Sequence, residues 1–116
     1  MILKNAGKSE NDSAEHLQGT LASLEFMYPI SIRRISDELD GEYPTHDIFL
    51  RPQNREYMKA GRGWEKTIRR GPNAGKTMIS CTIDDPSFEK PLYFALFEDS
   101  PGEWTVRWSR LRQDGQ

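Results

Sequence analysis

One cysteine and two histidines leave the chain little material for the commonest site chemistries. A lone Cys81 cannot form an intramolecular bridge, which excludes a disulfide scaffold and any metal site built from several thiolates. Cys81 alternates with Ile79 and Ile83 and so belongs to a buried face, where a thiol is inert. His16 and His46 are not spaced as metal ligands, and no metal or other cofactor is expected. No apolar run approaches the roughly 18 residues of a membrane helix. The opening "MILKNAGKSEND" lacks the apolar stretch of about 7–15 residues that a secretory signal carries. A reducing, cytoplasmic location away from membranes is the expectation. An excess of one charge is also missing: sixteen Lys and Arg against eighteen Asp and Glu give a net of -2, which excludes a histone-like polycation.

What is present describes one domain. The 116 residues are 35% hydrophobic and 10% aromatic, enough for a single core with a generous polar surface. Charge is unevenly divided: residues 1–60 carry seven basic and ten acidic residues, residues 61–116 nine and eight. The later basic residues fall into two groups, Arg62, Lys66, Arg69, Arg70 and Lys76, then Arg107, Arg110 and Arg112.

Period-two patterning dominates. Residues 1–15 are expected to form a flexible polar arm, residues 16–112 a single β-rich domain, and residues 113–116 a disordered tail. Two β-like runs occupy 17–35, divided by Pro29, which has no N–H for a ladder. Further strands are expected at 45–50, 63–69, 77–83, 91–98 and 103–111. The segment "RPQNREYMKAG", 51–61, reads as the only short helix, with Gly61 as its C-terminal cap. The linkers "RGPNAGK", "DDPSFEK" and "DSPG" are short enough for antiparallel neighbours and too short for parallel crossovers. The fold class expected is mainly β: an antiparallel meander of five to six strands closed into a small barrel or strongly curled sheet.

"RRGPNAGKT" spells the end of a nucleotide-binding P-loop. That loop needs four residues between its glycines and must open a helix whose free N–H groups meet the phosphates. Here three residues separate Gly71 from Gly75, and "MISCTI" after Thr77 alternates as a strand. The P-loop reading is rejected in favour of a β-hairpin turn. The acidic run Asp37, Glu38, Asp40 and Glu42 lacks calcium-loop spacing and reads as a solvated loop. No catalytic constellation emerges, and an enzyme is not expected.

Two binding surfaces remain. Trp108 with Arg107, Arg110 and Arg112, beside Arg69, Arg70 and Lys76, offers the aromatic and basic character with which small barrels grip single strands. Against this, Trp104, Val106, Trp108 and Arg110 share one face of their strand and Thr105, Arg107 and Ser109 the other, so the tryptophans also read as core. A protein partner is the favoured reading, with nucleic acid as the alternative. Phe88, between two prolines, reads as a plug over a barrel end.

The block "DDPSFEKPLY" and the later "WSR" carry a resemblance. With Gly19, Leu21, Ser23 and Leu24, then Pro44, Ile48 and Phe49, then Trp64 and Lys66, they make the chain resemble the bacterial family called domain of unknown function 736. The motif residues are Asp84, Asp85, Pro86, Ser87, Phe88, Pro91, Leu92 and Tyr93, followed by Trp108, Ser109 and Arg110. The resemblance covers most of residues 17–112. It implies a small β-rich protein found among plasmid- or mobile-element-bearing proteobacteria, and implies no activity. The chain departs from the family pattern at 51–61 and in the longer 69–77 hairpin. By turn chemistry, Asp84, Asp85, Pro86, Ser87 and Phe88 are expected to be a structural reversal into the next strand.

Overall fold

A computed structural model of the chain describes residues 2–5, 16–22, 27–53, 55–86 and 88–109. Eight strands follow in order: β1 (Ile2–Asn5), β2 (His16–Ala22), β3 (Met27–Arg34), β4 (His46–Leu50), β5 (Met58–Thr67), β6 (Thr77–Ile83), β7 (Leu92–Ser100) and β8 (Glu103–Ser109). Each pairs antiparallel with its successor, and β1 pairs with β8 through Ile2↔Thr105, Leu3↔Trp104 and Lys4↔Glu103, closing a barrel. Closure removes the open sheet edges that a meander otherwise exposes.

The meander and its closure are as expected, with eight strands where five to six were anticipated. The strand with no counterpart among the expected runs, β1, occupies residues 2–5 of what was expected to be a polar arm. Four residues are too few to show a period; their strand geometry comes from the partners on either side. Residues 6–15 and 113–116 lie outside the described residues.

The expected helix at 51–61 is absent. Residues 51–57 form a connection in which the Arg55 N–H donates to Pro52 C=O at 3.1 Å, and Met58 already opens β5. One helical turn forms few bonds for the dihedrals it fixes, whereas Met58, Lys59 and Gly61 gain ladder partners in Leu50, Phe49 and Ile48. Ala60 is the extra residue of a bulge there. Gly61 serves a different purpose from the cap first assigned to it. A Cβ on it would lie 2.0 Å from the Thr82 carbonyl oxygen, so glycine is what lets β5 press against β6.

Alternation directs one face of β2 to β8 inward. Leu17, Leu21, Ile30, Ile32, Ile48, Leu50, Ile79, Cys81, Ile83, Phe94, Leu96, Trp104 and Val106 fill the barrel, each buried. Eight strands give an interior that side chains of this size occupy. Each fully buried Leu, Ile or Phe contributes about 1.5–3 kcal/mol. The connections 35–45, 68–76 and 101–102 lie at one end, called upper here; 51–57 and 84–91 lie at the lower end. At the lower end the Phe88 N–H donates to Asp85 C=O and the Asp84 N–H to Ala60 C=O, both at 2.8 Å. Phe88 is partly buried against the core, as a plug would be. Ser87 lies outside the described residues.

Candidate functional site

The hairpin joining β5 to β6 holds Arg69, Arg70 and Lys76. It is closed by Ile68 N–H to Lys76 C=O at 2.7 Å and Gly75 N–H to Ile68 C=O at 2.8 Å. Gly71 (φ 87°) and Gly75 (φ 94°) adopt left-handed backbone that side chains resist, which is why glycine marks both bends. The Lys76 N–H donates to Asn73 C=O at 3.0 Å. The amides of Gly75 and Lys76 are thus used within the loop, and Thr77 opens a strand, so no phosphate cradle exists.

Arg107 and Trp108 are adjacent in sequence and face opposite ways. Trp108 follows Trp104 and Val106 on the inner face, but it stands at the lower rim and is 41% exposed. Its ring meets Phe94 edge-on, centroids 5.6 Å apart. Arg107 lies on the outer wall, its guanidinium 4.6 Å from the centroid of Phe97. The hairpin cations are at the upper end. The structure therefore does not gather Trp108 with Arg107, Arg69, Arg70 and Lys76, because strand alternation and barrel length separate them. Arg110 and Arg112 lie outside the described residues.

Instead, pairing registers assemble a surface that the sequence reading had not grouped. On the outer wall of β5 to β8, Lys66, Met78, Phe97 and Thr105 form one row, Trp64, Ser80, Ala95 and Arg107 the next, and Arg62, Thr82 and Tyr93 a third. Arg62, Lys66 and Arg107 are exposed, and Trp64, Tyr93 and Phe97 half-buried. The Trp64 indole N–H donates to Glu42 C=O at 3.1 Å. At the top of this wall a groove of about 530 Å³ runs between the hairpin and the β7–β8 turn, lined by residues including Asn73, Lys76 and Phe97. Two carboxylates also line it, both engaged: Glu98 accepts the Gly102 N–H at 3.0 Å, and Asp99 accepts the Thr105 hydroxyl.

The wall of β2 to β4, with Lys59 at the start of β5, is built differently. Lys59 pairs with Asp47 at 3.2 Å, and Arg33 lies 5.3 Å from the centroid of Phe49. Arg33 also donates to the Ser31 hydroxyl at 3.2 Å, which shares a 2.8 Å hydrogen bond with His16 Nε2. Partial burial, then the Arg33 charge, hold the His16 pKa below its usual value.

The upper end is cross-linked. Arg34 and Glu65 form an ion pair at 2.9 Å, with side chains 9% and 12% exposed, and Asp37 lies 3.6 Å from the same guanidinium. Asp40, at φ 59°, accepts the Thr67 N–H at 2.8 Å and the Thr67 hydroxyl at 2.6 Å, and stands 3.6 Å from Arg69. The Thr67 hydroxyl, then its N–H, lower the Asp40 pKa; Arg69 and Lys66 add to this while desolvation opposes it. Buried Thr45 accepts the Glu65 N–H at 2.8 Å and shares a 2.8 Å hydrogen bond with His46. Burial pushes the Cys81 thiol far up, away from thiolate chemistry. Among the described residues no three His, Cys, Asp or Glu side chains converge as a metal site, and no helix is long and apolar enough to cross a membrane.

Fold and surface define a small closed antiparallel barrel with a side-chain-filled interior and its distinctive chemistry on the outside. The chain belongs to the family of proteins of unknown function DUF736, whose model matches residues 6–111. The resemblance seen in the "DDPSFEKPLY" block is thereby a family membership. No curated protein and no solved structure matches the chain.

Proposed function

We propose that this barrel is a non-enzymatic accessory module that binds a protein partner through its lower end. The observation that carries the reading is the set of large apolar side chains left in water at that end. Met27 is 71% exposed, and Tyr57, Met58 and Trp108 are exposed with it. Beside them lies a groove of about 350 Å³ lined by Met27, Tyr28, Pro29, Arg51, Pro52 and Gln53. A methionine in water forgoes roughly 1.5–3 kcal/mol of burial, and apolar side chains left exposed around one barrel end suit an interaction site. Methionine adapts its shape to a partner, and tryptophan and tyrosine are the residues that most often anchor interfaces. Trp108 stands with this rim, at the far end from the hairpin arginines, which favours a protein over nucleic acid as its contact. The family resemblance directs the search for the partner to the bacterial cytoplasm, in a plasmid or mobile-element setting.

The test is affinity capture with the tagged chain from such a host, followed by titration of the purified candidate. Met27→Asp with Met58→Lys is expected to weaken binding by at least about tenfold while leaving the melting temperature in place. A wild-type chain that remains monomeric and retains no specific protein, or a double variant that binds as well as wild type, overturns the proposal.

A further inference from the structure

The outer wall of β5 to β8 is a different surface from the lower rim, and its composition is unusual for this chain. Six cations stand on it or on the hairpin above it: Arg62, Lys66, Arg69, Arg70, Lys76 and Arg107. Among the described residues Asp99 and Glu103 are the carboxylates at its outward positions, and Asp99 is held by Thr105. At its margins Asp47 stands opposite Arg62 but is paired with Lys59, and Asp40 pairs with Arg69. Arg62, Lys66, Arg70 and Lys76 make no ion pair among the described residues. A solvated wall on a protein of net charge -2 interleaves the two signs, as the β2 to β4 wall does with Lys59 and Asp47.

We infer that this wall and the 68–76 hairpin form a binding surface for single-stranded nucleic acid. The spread of the cations argues for a polymer. Arg62 and Lys66 are four residues apart on β5, about 13 Å, and β5 lies three strands from β8, about 14 Å. That spacing meets several successive phosphates, where a single small anion would need the cations to converge. The aromatic component is in place as well. Arg107 lies on Phe97, which holds its guanidinium flat. Trp64 and Tyr93 add half-buried rings in the adjoining rows, and rings beside backbone charge are how such walls hold unpaired bases. The groove of about 530 Å³ at the top, with Asn73 and Lys76 on one side and Phe97 in its lining, gives an end base a place to enter. The four strands are half the circumference of a closed eight-stranded barrel, so their cations fan round a curved surface that a flexible single strand can follow and a stiff duplex cannot.

Fluorescence anisotropy with a labelled, mixed-sequence single-stranded DNA oligonucleotide tests this. Binding is expected at about 50 mM salt and should weaken about 50-fold by about 200 mM, as four phosphate contacts require. Arg62→Gln with Lys66→Gln should weaken binding about tenfold or more and flatten the salt slope by about one unit. Arg33→Gln on the opposite wall with Arg51→Gln below it, and Met27→Asp at the lower rim, should leave it unchanged. The last comparison separates this surface from the protein-binding rim, so either proposal can fail alone. Absence of binding at low salt, equal losses from the Arg33 and Arg51 variant, tighter binding of the matching duplex, or equal displacement by polyglutamate each overturns the inference.

Discussion

The β2 to β4 side of the barrel and the β5 to β8 side share one ladder and one core, yet they treat their cations in opposite ways. On the first, Lys59 meets Asp47 and Arg33 lies over Phe49 while bonding Ser31. On the second, Arg62 and Lys66 stand outward and make no ion pair among the described residues, Asp47 opposite Arg62 being held by Lys59. The comparison teaches that overall charge hides the surface: a chain of net -2 presents a neutralised wall and a cationic one. A charge the fold itself uses is one whose loss the fold feels, and that distinguishes the two kinds experimentally.

The largest effect belongs to the cation drawn furthest in. Glu65→Leu takes from Arg34, in the barrel mouth, its 2.9 Å carboxylate partner and leaves Asp37 at 3.6 Å and the Ser36 carbonyl at 3.1 Å. It is expected to cost about 3 kcal/mol of stability, read as a lowered urea midpoint. Adding Arg34→Leu to it should restore most of the loss, since the stranded charge is then gone.

Next comes Asp40, which ties the 35–45 loop to β5. Its folded pKa lies below the ordinary 3.8, so its contribution is fully present above that value. The contribution is lost as pH falls through the lower folded value, because the unfolded chain takes up the proton first. Melting temperature measured from neutrality to below pH 3.8 should therefore decline less steeply in Asp40→Asn than in wild type across that acid window. Equal slopes would remove Asp40 as the loop's fastening.

The smallest effect sharpens the contrast between walls. Asp47→Asn removes the partner of a Lys59 side chain that is 46% exposed, so it should cost no more than about 0.5 kcal/mol by chemical denaturation. The same variant removes the carboxylate opposite Arg62, and single-stranded DNA binding at low salt should rise slightly. A loss above about 1 kcal/mol would show that this exposed pair supports the fold more than its setting implies.

Much of the architecture was legible in the residues themselves. Ile79, Cys81 and Ile83 alternate without interruption, and β6 runs over the expected residues. Trp104 and Val106 are core, as their shared face indicated, and the "GKT" hairpin turns where its glycines placed it. Other features depend on partners distant in sequence. Residues 58–61 have a helix-like pattern and become strand because β4 supplies a ladder for them. That misreading cut the start from β5 and obscured the alternation of Arg62, Trp64 and Lys66. Their alignment with Phe97 and Arg107 is a matter of register across three strand pairs, which no local window contains. Trp108 was grouped with its neighbour Arg107 by adjacency, while the pleat sends consecutive side chains to opposite faces.

The seam between β1 and β8 carries a consequence for the order of events in folding. Every other strand pair joins sequence neighbours, so most of the sheet can grow pair by pair from local encounters. The pair Ile2↔Thr105 requires two points about a hundred residues apart to meet, an entropic cost of about 4 kcal/mol in a flexible chain. A curled sheet already shaped by its twist lowers that cost by bringing the last strand round toward the first. The ring is therefore expected to close last, when the four residues of β1 meet β8.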